Sequence, residues 1–246
     1  MIERRVVVLG SPEAVAFQGA TEFEVRARAA IADHGRFAVA LSGGKTPLAM
    51  FALLASPQFA EDIDWAHVHF FWNDERCVPP DDPASNYGQA RSALLAPIAA
   101  PDDNIHRMRG ELEAHEGAID YCERLAAFFG DDVTFDLIYL GLGSDGHTAS
   151  LFPHSGALHV DDVPCTAVHA RGNAVPYRLT LTYPVLNAAR AAIFMVEGAG
   201  KAGVLAEVLQ GPSDPERLPA QGVAPSHGTL IWLVDSAAAA KLDPDA

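Results

Sequence analysis

The segment Phe135 to Pro153 constrains this chain more than any other. It opens as an apolar run, Leu137 to Leu142, the pattern of a strand buried on both faces of a parallel sheet. It then breaks into a glycine-rich turn that presents Asp145 and His147 side by side. In open α/β sheets, ligands bind just past the carboxyl ends of strands, so this turn stands where chemistry is expected. A histidine there can take and give protons near neutral pH. Alone, the same pattern would also describe a turn whose glycines only permit positive φ.

The rest of the chain supplies a frame for that strand. Val6–Leu9, 37–41, 67–72, 192–196 and 230–234 read as strands. Between them, 14–32, 46–54, 86–95, 116–129 and 201–209 read as helices, and 179–190 continues the alternation. Ser11-Pro12 and Thr46-Pro47 have the cap-then-proline form of helix starts, and Ser85 is the expected cap of the helix at Asn86. His34-Gly35 closes the first long helix, and 237–240 reads as a fraying last one. Strands alternating with helices imply an α/β fold: one mostly parallel, Rossmann-like sheet covered by helices on both faces. No repeat, linker or composition break divides residues 1–246, so one domain is the simplest organisation.

Composition excludes several roles. The formal charge is −15, from 32 acids against 17 bases. A general nucleic-acid binder needs a basic surface, so no nucleic-acid partner is expected. A few placed cations can still hold an anionic small molecule. No apolar stretch reaches the length of a membrane span, and 6–9 is too short for a signal segment. Cys77, Cys122 and Cys165 form no C-x-x-C and no paired framework, which fits a reduced, cytoplasmic setting. The oligomeric state is left open. The ten histidines include no H-E-x-x-H; His67 and His69 alternate on one strand with no third ligand, so no metal site and no cofactor are expected. His154, His159 and His169 read as loop or surface residues.

Four further segments carry candidate chemistry. Ser42-Gly43-Gly44-Lys45-Thr46-Pro47 joins a strand to a helix. Its glycines let backbone N–H groups approach an anion, the helix N-terminus adds a favourable dipole, and Ser42 and Thr46 add hydroxyls. It is not a Walker loop, so no nucleoside triphosphate is implied. Asp74-Glu75-Arg76 follows the third strand and forms a polar cluster fit to surround a sugar. Arg178 and Lys201, from separate strand–helix junctions, can clamp one phosphate.

Taken together, these motifs resemble the glucosamine-6-phosphate isomerase/6-phosphogluconolactonase family. Ser42-Gly43-Gly44 with Thr46-Pro47 resembles its phosphate loop. Asn73-Asp74-Glu75-Arg76-x-Val78-Pro79 with Ser85-Asn86-Tyr87, and the segment from Gly141 to Pro153, resemble the lactonase forms of two more motifs. Arg178 to Thr182 and Gly200-Lys201-Ala202 are similar to its later anion-binding segments. Lys45 departs from the pattern, which has a small serine there; it either adds a charge contact or points to solvent. The deaminase branch has Asp-Glu-Tyr in place of 74–76 and Ala-Phe-Asn-Glu in place of 149–152, so both differences favour the lactonase branch. A non-catalytic sugar-phosphate sensor on the same fold is a third reading, against which the Asp145–His147 pair stands.

The resemblance implies hydrolysis of 6-phosphogluconolactone to 6-phosphogluconate in the oxidative pentose phosphate pathway. It implies His147 as general base and then acid, Asp145 to orient the imidazole or its loop, Asp74 to hold sugar hydroxyls, and Arg76 to stabilise an oxyanion or hold substrate. Ser42, Gly43, Gly44, Thr46, Arg178 and Lys201 would anchor the phosphate. No serine sits in a G-x-S-x-G elbow, so an acyl-enzyme is not indicated.

Overall fold

The structure, a computed structural model, describes residues 3–243. The chain runs β1 (Glu3–Leu9), α1 (Pro12–His34), β2 (Phe37–Leu41), α2 (Lys45–Leu54), α3 (Pro57–Ala60), β3 (Val68–Trp72), β4 (Asp74–Arg76) and α4 (Asn86–Ala90). It continues as α5 (Ala114–Phe129), β5 (Leu137–Leu140), β6 (Cys165–His169), β7 (Tyr177–Leu181), α6 (Tyr183–Ala188), β8 (Ala191–Val196), α7 (Ala202–Gln210) and β9 (Thr229–Asp235).

Six strands form one parallel sheet in the order β1-β9-β8-β5-β2-β3. Every residue of β2, β5 and β8 is buried, so both faces are covered. On one face the Tyr139 hydroxyl donates to the Gly19 carbonyl of α1 at 2.7 Å. On the other, Phe128 and Phe129 of α5 pack against Phe71 of β3. Ser11 caps α1 by accepting from the Ala14 N–H, and Gly35 ends it in the left-handed conformation at φ 82°. The sheet reverses its order of growth between β2 and β5: β3 adds outward beyond β2, while β8 and β9 add on the β5 side. The carboxyl ends of β2 and β5 therefore flank a switch-point crevice.

Several elements differ from the sequence reading. A second, antiparallel sheet, β4-β7-β6, takes the segment Tyr177–Leu181 out of the parallel alternation. An apolar run reports burial but not the direction of its neighbour, so the pattern could not separate the two cases. Thr46 does not cap α2: the helix begins at Lys45, with Gly44 at the cap and no side-chain cap bond. His67 lies in a 3₁₀ turn before β3, bonded to Asp64, so it shares no strand face with His69. His169 is exposed, as expected of a surface residue, but at the end of strand β6 and not in a loop. The last helix, expected over 237–240, is a single 3₁₀ turn over Ala238–Lys241.

Asn73 joins the two sheets. Its N–H donates to the Leu41 carbonyl, its side-chain amide donates to the Tyr139 carbonyl, and its own carbonyl accepts from Leu181. The ends of β2, β3 and β5 are thereby drawn together where the small sheet begins.

Candidate active site

A cavity of about 390 Å³ opens over the switch point. Ser42, Gly43, Gly44, Lys45 and Thr46 line it from the end of β2; Asp74 and Arg76 from β4; Gly141 to Ser144 and His147 from the turn after β5. Arg178 of β7, and Glu197 and Lys201 from the turn after β8, complete it. The structure thus brings together every site residue expected from sequence except Asp145, which stands behind His147.

The Asp145–His147 pair is a single unit. The Asp145 Oδ1 lies 2.5 Å from His147 Nδ1 and also accepts the His147 backbone N–H at 3.2 Å. Two residues' spacing is enough because the turn is tight: the Gly143 N–H donates to the His147 carbonyl. A β-carbon on Gly143 would collide with the imidazole, so only glycine permits that approach. The bond to His147 pulls the Asp145 carboxyl down to about 2. An ionised carboxylate on Nδ1 fixes that nitrogen as the N–H donor, which leaves the Nε2 lone pair available. The ring rests against Phe152, 4.5 Å between centroids.

Asp74 is buried and anchored, with acceptor capacity left on each oxygen: Oδ1 accepts from the Asn86 amide at 2.9 Å and Oδ2 from the Ser150 hydroxyl at 2.7 Å. Glu75 serves a different role from its neighbours. Its carboxylate accepts from the backbone N–H groups of Arg76, Asn86 and Tyr87 and from the Ser85 hydroxyl, and it does not line the cavity. Burial pushes its pKa up, while those N–H groups pull it back. Glu75 therefore seats the start of α4, which Ser85 caps as expected, and α4 in turn presents Asn86 to Asp74.

The cations converge from three directions. Arg76 donates from Nη1 to the Ala84 carbonyl, and Arg178 from Nε to the Val175 carbonyl, so each guanidinium is oriented by backbone. Burial lowers the Arg178 pKa, and the neighbouring Arg76 charge lowers it further. Burial also lowers Lys201, against the opposing pull of Asp145. The start of α2, which has no side-chain cap bond, lines the same cavity as these three charges.

Sequence reasoning placed Asn86 in a family motif and at the start of a helix but gave it no role in the site; that role depends on where β4 lies. It also missed Glu197, a carboxylate on the cavity wall, and Ser150, whose hydroxyl reaches Asp74 across 76 positions. Glu197 carries no local signal, and Ser150, though inside the Gly141 to Pro153 motif, gives no sign in sequence of its distant partner. Among the described residues, no group of three or more His, Cys, Asp or Glu could hold a metal ion.

A parallel sheet with a cation-lined crevice at its switch point and an Asp-backed histidine over it is the geometry of an α/β protein that handles an anionic small molecule. Comparison with known proteins makes the assignment specific. The model of the glucosamine-6-phosphate isomerase/6-phosphogluconolactonase family matches residues 10–232, and the chain belongs to that family. It is 43% identical over 220 residues to the 6-phosphogluconolactonase of Synechocystis sp., covering 87% of this chain and 88% of the relative. The 6-phosphogluconolactonase of Haemophilus influenzae is 39% identical over 200 residues, 81% of this chain and 85% of its own. The solved 6-phosphogluconolactonase of Trypanosoma brucei superposes with a TM-score of 0.86 at 27% identity, over 99% of this chain and 100% of that one. No helix among the described residues is long and apolar enough to cross a membrane.

Proposed function

We propose that the protein is a hydrolase that opens 6-phosphogluconolactone to 6-phosphogluconate, a step of the oxidative pentose phosphate pathway. The observation that carries this reading is His147, its Nδ1 held by Asp145, in a cavity it shares with Arg76, Arg178, Lys201 and the uncapped start of α2. Named lactonases at around 40% identity over most of the chain support it.

The lactone is a cyclic ester. His147 Nε2 takes a proton from water as the water oxygen bonds to the carbonyl carbon. The carbonyl oxygen becomes an oxyanion, stabilised by the Arg76 guanidinium. The bond from carbon to ring oxygen then breaks, and His147 returns its proton to that oxygen. The product acid loses its proton to solvent. Asp145 keeps the ring in the tautomer and orientation this cycle needs. Asp74, held by Asn86 and Ser150, receives hydrogen bonds from sugar hydroxyls. Ser42, Gly43, Gly44, Thr46, Arg178 and Lys201 hold the phosphate, a remote group whose binding energy positions the reacting carbon. The site residues need no metal or organic cofactor for these steps. Three free thiols fit a reducing, cytoplasmic setting.

The test is a continuous assay with freshly generated 6-phosphogluconolactone, and glucosamine 6-phosphate in parallel. Hydrolysis well above the spontaneous rate is expected. Comparable ammonia release from the amino sugar would assign the deaminase chemistry instead, and binding of 6-phosphogluconate without turnover would assign a sensor.

A further inference from the structure

Asp235 is the last residue of β9 and is only 2% exposed, yet no step of the chemistry above uses it. Both of its carboxylate oxygens lie 3.0 Å from the backbone nitrogen of Gly198. Oδ1 also accepts the Ala238 N–H at 2.7 Å. Gly198, at φ 89°, is the pivot of the turn after β8: Glu197 precedes it and the 3₁₀ turn Ala199–Lys201 follows. Asp235 therefore ties down the segment that carries Lys201 into the cavity. The turn needs an external tie. Gly198, Ala199 and Gly200 have no polar side chain with which to hold a conformation, and 199–200 are exposed. The carboxylate also joins this turn to the one at Ala238, which packs against it.

We propose that Asp235 is a positioning residue for recognition of the phosphate: it fixes the Gly198 turn so that the Lys201 ammonium meets the anionic end of the substrate. Lys201 is a point charge on a flexible stem, so its placement depends on its backbone more than an arginine fork would. The proposal rests on the lactonase reading above. A buried charge bonded to two backbone donors holds geometry more firmly than a neutral acceptor, because charge-assisted bonds are shorter and stronger. Asparagine at 235 keeps an Oδ1 that reaches both N–H groups but loses the charge and the second oxygen on Gly198, so it holds the turn only in part.

The experiment measures kcat and KM for 6-phosphogluconolactone and for unphosphorylated gluconolactone. The proteins are the wild type, Asp235→Ala, Asp235→Asn, Lys201→Ala and the Asp235→Ala/Lys201→Ala double variant. Asp235→Ala is expected to raise KM for the phosphorylated lactone about tenfold, a coupling of the size double-mutant cycles resolve. Its kcat/KM for the unphosphorylated lactone should stay within about twofold of wild type. Asp235→Asn should recover part of the loss, and in the Lys201→Ala background the Asp235 substitution should add almost nothing. Equal losses on both lactones, or additive losses in the double variant, would overturn the proposal and leave Asp235 a structural residue. If Asp235→Ala does not fold, Asp235→Asn with and without Lys201→Ala decides by the same criterion. A wild type with no lactone turnover would sink the functional reading instead; calorimetric binding of 6-phosphogluconate to the same variants would then read the Asp235–Lys201 coupling directly.

Discussion

Arg76 and Arg178 stand directly opposite each other across the antiparallel pair β4–β7. Cross-strand partners project to the same face, and like charges placed so are destabilising. Here the cost is sharpened by burial, since Arg178 is 9% exposed. Asp74 and Glu75 offset part of it. The remaining positive field points into the cavity that both guanidiniums line. A pair so placed is unfavourable alone and favourable around an anion.

Arg178→Ala should therefore weaken 6-phosphogluconate binding by about 1.5–3 kcal/mol, the range for a charge-assisted contact. In the same variant, the rise in Tm that the ligand gives the wild type should shrink accordingly. Calorimetry and thermal melts on both proteins check this. Unphosphorylated gluconate should bind the two proteins alike; equal weakening would show that Arg178 does not read the phosphate.

Replacing Asp145 with asparagine should cost about 100- to 10,000-fold in kcat, similar to His147→Ala, while product affinity stays within a few-fold. The double variant should be no worse than either single one, because the two residues act as a unit. The pH dependence has a defined sign. The Asp145 carboxyl is held near 2 by its bond to His147. Its contribution to folding stability is thus present above the ordinary carboxylate range and is lost as pH falls through about 2. Asp145→Asn should remove that acid-limb loss, read from Tm between pH 5 and 2. Additive kinetic losses would separate the two residues into independent roles.

The contrast between Asp145 and Asn86 shows what the sequence could disclose. Asp145 and His147 lie in one turn after one apolar strand, so composition and spacing exposed both. Whether the carboxylate reached the ring depended on the compactness of the Gly143–Gly146 turn, which only the structure resolves. Asn86, Ser150 and Asp74 meet through three segments, one of them in an antiparallel sheet that the apolar pattern of 177–181 could not distinguish from a parallel one. The glycine turn after β2, the helix caps at Ser11 and Ser85, and the six parallel strands were local and legible. Long-range side-chain contacts and Glu75's turn away from the cavity were not.

His106 sets a second pH dependence, outside the lining of the site cavity. It stacks on Phe71 at 4.3 Å between centroids and lies 3.3 Å from His69 Nδ1. Burial, reinforced by the His69 and Arg124 charges, lowers its pKa from 6.5 to about 4. Between these values the unfolded chain binds a proton that the folded one does not, so stability falls as pH drops from 6.5 towards 4. His106→Gln should flatten Tm against pH in that window relative to wild type, whatever its effect at pH 8. An unchanged slope would show that other groups dominate the acid limb.

Gly43→Ala should disable the site through Asn86. A β-carbon on Gly43 would fall on the Asn86 side-chain amide, leaving no room for both. Asn86 is 1% exposed and cannot swing to solvent. Its amide nitrogen is also committed to the carbonyl and carboxylate of Asp74, so displacing it releases the residue assigned to the sugar hydroxyls. The alternative is displacement of the loop itself, which moves the Ser42–Thr46 donors off the phosphate. Either way binding and turnover suffer together, and overpacking of this kind costs about 1–3 kcal/mol. The expected result is a fall in kcat/KM of roughly ten- to a hundredfold, with a lower Tm. Asn86→Ala should lower kcat/KM by releasing Asp74, but the Gly43→Ala/Asn86→Ala double variant should lose less than the sum of the two, because the clash is gone. Strict additivity would place the two residues out of contact in solution, and wild-type turnover by Gly43→Ala alone would show that the loop accommodates a side chain without loss.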